Sequence, residues 1–217
     1  MHAPPFLKTR LLTLALLLTV LNPVLAARDF LVDADWLAAE RDSNPRLVVL
    51  EVRYHPHRYF TVGHIPGAIQ VQRFKDLGDN EGPVIMAFPS REAFQATLRR
   101  WGVNDDSTLV LYDDARSALA ARLFYLLRLY GFNSDQIKIL DGGALEWSGL
   151  NELTPEPSPA PATGTVTLQE ADAALFVHWT DVYADVVSRR DPGVTLVDAR
   201  PAEMYSGEII RHALPGG

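Results

Sequence analysis

Thiol chemistry is closed to these 217 residues, because none of them is a cysteine. Six histidines and a scatter of carboxylates remain for acid–base work. His64 is the first to consider, since imidazole titrates near neutrality. It sits in Gly63-His64-Ile65-Pro66-Gly67-Ala68, where glycine and proline mark a turn. Nothing close in sequence forms a relay with it, so its expected role is to fix that turn through hydrogen bonds. Glu51 and Arg53, two positions apart, read as a charge-paired scaffold. Asp141-Gly142-Gly143 lacks the spacing of a phosphate-cradling loop and reads as a tight turn. The last constellation is the polar loop Asp113-Asp114-Ala115-Arg116-Ser117-Ala118, between an apolar run and an amphipathic stretch. A carboxylate there is placed to cap the helix that follows.

The elements around these positions follow from pattern. Asp33 is the expected N-cap of a helix over Ala34 to Arg41, with Trp36 and Leu37 facing the core. Leu47-Val48-Val49-Leu50 and Leu109-Val110-Leu111-Tyr112 are continuous apolar runs, as strands buried on both faces of a parallel sheet require. Ser90 opens a helix whose Phe94, Leu98 and Trp101 share a face, and Gly102 ends it. Leu119, Leu123, Leu126, Leu127 and Tyr130 mark another, ending at Gly131, and Ile137 to Leu140 is a further strand. Strands alternating with helices predict an α/β fold, a doubly wound parallel sheet with helices on both faces. From Asn151 the character changes: Pro155, Pro157, Pro159 and Pro161 alternate with small or acidic residues, so 151–166 is expected to be an extended linker. Beyond it, Leu196-Val197-Asp198-Ala199-Arg200 repeats Leu50-Glu51-Val52-Arg53, and Tyr205 follows as Tyr59 does. A repeat of domain size means a second copy of one fold, over 167–217.

Composition narrows the partners. The net charge is −7 and basic runs are absent, which argues against nucleic acid and anionic membrane surfaces. At the N-terminus, Lys8 and Arg10 precede a leucine-rich run from Leu11 to Val20, broken by Asn22-Pro23 and followed by Val24-Leu25-Ala26. That is the pattern of a signal peptide over 1–26, cut after Ala26, and the run is too short for a span of about 20 residues. The mature protein is therefore expected to be exported, in the periplasm, and free of the membrane.

Taken together these segments resemble the rhodanese-type sulfurtransferases, in particular the tandem-domain thiosulfate and 3-mercaptopyruvate sulfurtransferases. The likeness rests on Glu51-Val52-Arg53, Arg58-Tyr59, the turn from Gly63 to Ala68, Trp101-Gly102-Val103, Leu109 to Asp113, and Leu140-Asp141-Gly142-Gly143 with Trp147, in order. It covers residues 30–150 fully and the region from about 170 in part.

The resemblance implies an enzyme that carries sulfane sulfur on a cysteine persulfide, without a cofactor. Its substrates would be a small sulfur-containing anion and a thiol or cyanide acceptor. In active copies a cysteine opens the loop after the central strand, and backbone N–H groups and a helix N-terminus favour its thiolate. Asp113 occupies that position here. A carboxylate cannot accept a sulfane sulfur, and Asp113 with Asp114 would repel thiosulfate, so this copy is expected to be non-catalytic. The catalytic cysteine is then expected in the second copy, which this sequence leaves incomplete at Leu214-Pro215-Gly216-Gly217. Before Tyr205, where some active relatives carry a substrate-binding arginine, stands Met204; Arg200 remains a candidate substrate-binding cation of that copy, with a structural role as the alternative. The alternative is a non-catalytic rhodanese module that binds a partner or a small anion.

Overall fold

The computed structural model describes residues 30–190 and 193–209. The expected signal peptide and the last eight residues lie outside that range. The chain divides into two compact units, the first through Asp172 and the second from Ala173.

The first unit is built on five parallel strands in the order β1-β5-β4-β2-β3. They are β1 (Leu31–Val32), β2 (Leu47–Val52), β3 (Ile69–Val71), β4 (Thr108–Asp113) and β5 (Ile137–Leu140). Parallel neighbours require crossovers, and the apolar runs read as doubly buried strands supply the middle of the sheet. Leu50, Val52, Leu109, Val110 and Leu111 are fully buried. The register sets Val52 beside Asp113, so both central strands end at the same edge.

Helices cover the sheet, and their ends follow local chemistry. In α1 (Ala34–Ser43) the Asp33 carboxylate accepts the Trp36 N–H at 2.8 Å, and Leu37 is buried while Trp36 packs at the core's margin. The short α2 (Arg58–Thr61) and α3 (Arg73–Asp76) flank β3. The next helix, α4 (Arg91–Arg100), begins where Ser90 accepts from Ala93 N–H and buries Phe94 and Leu98. Gly102, just past it, adopts φ +75°, the left-handed conformation that ends helices. Helix α5 (Ala118–Leu129) buries Leu123, Leu126 and Leu127, and α6 (Gly143–Leu150) buries Trp147. Leu37, Val110, Tyr112, Leu140 and Trp147 belong to one apolar cluster.

The proline-rich stretch is extended, and it lies along the first unit. His64 and Thr154 exchange backbone N–H···O bonds at 2.9 Å each. Further on, the N–H groups of Gly164, Val166, Gln169 and Asp172 donate to the carbonyls of Arg99, Val103, Tyr130 and Leu129. Those carbonyls lie at or just beyond the C-termini of α4 and α5, where helices leave acceptors unsatisfied. Val166 and Leu168 are buried by this docking.

In the second unit, α7 (Trp179–Val182) runs into a wider π-helical turn, Tyr183–Ser188, and α8 is Ala202–Tyr205. Residues 194–199 form no strand, although they repeat the sequence of β2. Leu196 and Val197 are 65% and 77% exposed. A parallel strand exists only beside a partner, and the described residues of this unit include no strand to pair with.

Candidate functional site

The site forms where β2 and β4 end. Tyr112 is fully buried, so the residue after it must emerge at the sheet edge, where α5 begins. Asp113 is itself 3% exposed. Its carboxylate accepts four backbone N–H bonds: Oδ1 from Ala115 (2.9 Å) and Ser117 (2.8 Å), Oδ2 from Leu119 (2.7 Å) and Ala120 (2.9 Å). Arg116 and Ser117 turn these amides inward through positive φ angles of 55° and 65°. Successive N–H groups of this kind form an anion-binding nest. The N-cap residue Ser117 makes no side-chain cap of its own, so Asp113 caps α5 from a distance. The capping role expected from the sequence thus falls to Asp113, which also fills the whole nest.

A charged layer supports the loop. Asp114 accepts from Arg58 Nη1 at 2.9 Å and from the Tyr54 N–H at 3.0 Å, and lies 3.8 Å from Arg53 Nη1. Buried Arg53 donates through Nε to Glu51 Oε1 and through Nη2 to Gly63 O, both at 2.5 Å. It therefore ties β2 to the turn that carries His64, as the scaffold reading expects. Glu51 is fully buried, and among the described residues its second oxygen has no hydrogen-bond partner. Burial pushes the Glu51 carboxyl up to about 7 against the pull of Arg53.

His64 is buried away from the loop. Its Nδ1 meets Tyr59 O at 3.0 Å, its Nε2 meets Ser158 Oγ at 3.3 Å, and its ring stacks on Tyr59 with centroids 3.5 Å apart. Burial shifts its pKa downward, and its two hydrogen bonds and the stacking on Tyr59 make it a structural residue. On the other side of the loop, α6 starts against Asp113: a Cβ at Gly143 would collide with the Asp113 carbonyl, and φ there is +59°. Gly143 is thus required by close approach, a finer demand than the turn that the sequence shows. Arg200 lies in the second unit, where its Nε reaches both carboxylate oxygens of Asp198 at 2.9 Å and its Nη2 reaches Oδ2 at 2.5 Å.

Beside the Asp113 loop, within the first unit, lies a cavity of about 650 Å³, lined by Arg53, Arg58, Arg116, Asp113, Asp114 and Asp141 among others. Chemically, the loop can hold one negative charge at a helix N-terminus, and Asp113 supplies it internally. With no thiol in the chain, the loop offers no sulfur nucleophile. Arg116 and Asp141 were missed as cavity residues in the sequence, because an Ala-Arg-Ser run gives no sign of a left-handed loop.

Comparison with known proteins places this geometry among relatives. Residues 33–150 match the family described as the rhodanese-like domain. The chain is 31% identical over 183 residues to the sulfur carrier protein TtuD of Thermus thermophilus, covering 83% of this chain and 61% of that protein. It is 32% identical over 190 residues to a putative thiosulfate sulfurtransferase of Saccharopolyspora erythraea, covering 87% of this chain and 63% of the relative. The crystal structure of SseA from Escherichia coli, described as a 3-mercaptopyruvate sulfotransferase, superposes with a TM-score of 0.70 at 27% identity, over 85% of this chain and 70% of SseA. The chain spans about six-tenths of the length of these two curated relatives.

Proposed function

Because the chain belongs to the rhodanese-like family, we propose that residues 30–150 are the non-catalytic copy of an exported tandem sulfurtransferase. In that reaction a cysteine takes a sulfur atom from thiosulfate or a related donor; with thiosulfate, the thiolate attacks its outer sulfur. The S–S bond breaks, and sulfite leaves with the bonding pair. The acceptor, cyanide or a thiol, then takes the outer sulfur from the persulfide and regenerates the thiolate. The cysteine is supplied outside residues 1–217, in a complete second copy that begins with 167–217.

One observation carries the non-catalytic assignment: the Asp113 carboxylate already occupies the four amides that would otherwise stabilise an anionic sulfur. Export rests on the basic, leucine-rich and Val24-Leu25-Ala26 pattern, with Ala27 as the first mature residue. Exported material whose N-terminal sequence still begins at Met1 would refute it.

Thiosulfate:cyanide turnover tests the proposal on three proteins: the 217-residue chain, its Asp113→Cys variant, and a longer chain with a full second copy and a loop cysteine. The first should be inactive. The second should be feeble, because Asp114 faces the same pocket. The third should turn over readily. Activity in the unmodified chain would overturn the scheme. Silence from the third would favour the alternative, a non-catalytic rhodanese module that binds a partner or a small anion.

A further inference from the structure

The cavity beside Asp113 contains three guanidinium groups and three carboxylates. Four of these six charges are already used. Arg53 is bound to Glu51 and Gly63 O, Arg58 to Asp114, and Asp113 to four amides. The other two, Arg116 and Asp141, are exposed. Among the described residues neither side chain has a hydrogen bond or ion pair, and they do not pair with each other. The αL backbone of Arg116 presents it at the loop, while Asp141 immediately precedes the Gly142-Gly143 turn, which also lines the cavity. Val62, Leu145 and Leu153 supply an apolar part of the lining, and the first two are 50% and 83% exposed.

A lining with equal numbers of both signs gives no net field to attract a simple anion. An oxyanion reaching Arg116 would meet Asp141 and Asp114, and a cation would meet the guanidinium groups. Only a ligand bearing both signs satisfies both unused charges, and the apolar wall accepts a hydrocarbon body. The volume lies within the range of about 300–1,000 Å³ usual for small-molecule sites. We propose that this cavity binds a zwitterion of the amino-acid or short-peptide type, its carboxylate on Arg116 and its ammonium on Asp141. The site is independent of sulfur transfer and would operate in the chain without a cysteine.

Titration of the full chain with three small probes tests this, followed by calorimetry and by the amide NMR signals of Ser117, Gly142 and Gly143. The probes are leucylglycine, its N-acetyl derivative, which keeps only the carboxylate, and leucylglycinamide, which keeps only the ammonium. Leucylglycine should saturate and shift those three signals, with each singly charged probe about tenfold weaker, as the loss of one charged hydrogen bond implies. Arg116→Gln should bring leucylglycine level with leucylglycinamide, and Asp141→Asn should bring it level with the N-acetyl probe. Both variants should melt like the parent, since both side chains are exposed. Equal binding of all three probes, absence of saturation, or unchanged affinity in both variants would overturn the site.

Discussion

At the scale of single residues, Asp113 shows how a carboxylate can serve as the internal ligand of an anion-binding loop. Four N–H donors converge on it, so its charge matters as much as its shape. Asp113→Asn keeps the size but turns an amide NH₂ toward donors that need an acceptor. The variant should lose about 2–3 kcal/mol in urea unfolding, the scale of charged hydrogen bonds left unmade; a change under about 0.5 kcal/mol would contradict the nest. Glu51 gives a second test. Its folded pKa, about 7, lies above its ordinary value of 4.5, so the native state holds a proton that the unfolded chain has released. Its contribution is therefore fully present below the ordinary value and is lost as pH rises through about 7, by up to about 3 kcal/mol. Urea midpoints across that window should fall for the parent and flatten for Glu51→Gln; parallel profiles would sink the assignment. The Glu51–Arg53 pairing was legible two residues apart in sequence. The burial that raises Glu51 was not, because it comes from strands and turns distant in the chain.

Elements with strong local signals were read closely: β5 matches the expected Ile137 to Leu140, and the caps at Asp33 and Ser90 sit where the pattern put them. Short elements escaped. Two residues of β1 and three of β3 carry no usable periodicity, and they are strands only because β5 and β2 pair with them. The proline-rich stretch was read by composition, which reports extension and is silent about docking. Past Pro161 its side chains alternate, with Val166 and Leu168 inward and Thr165 and Thr167 outward. Its N–H groups satisfy carbonyls at the ends of α4 and α5, so the strap closes two helices at once. Leu168→Ala should then destabilise the first unit by about 2–4 kcal/mol, as for any buried leucine. A cost below about 0.5 kcal/mol in chemical unfolding would mean that the strap is only loosely laid on the domain.

At the scale of the whole molecule, the two units bury their apolar residues very differently. In the first, the strands and helices surround a continuous core. In the second, Trp179, Val187, Leu196, Val197 and Tyr205 are each more than half exposed. The repeat of Leu50-Glu51-Val52-Arg53 at Leu196 to Arg200 was visible in sequence, yet only the first occurrence is a strand. The difference is physical: β2 lies between β3 and β4, and its apolar residues are covered by neighbours from both sides. A strand sequence without such neighbours gains neither ladder bonds nor burial, and ordering it costs about 1–2 kcal/mol per residue. Local opening should therefore be easy in the second unit and rare in the first. Composition alone would direct a protease to 151–165, but that stretch is bonded to the domain through Asp172. Brief digestion of the chain with a broad-specificity protease should cut first within 173–209 and leave a resistant fragment that retains Val166 and Leu168. Mass spectrometry of the fragments decides it, and first cleavage inside 151–168 would show that the strap detaches before the second unit opens.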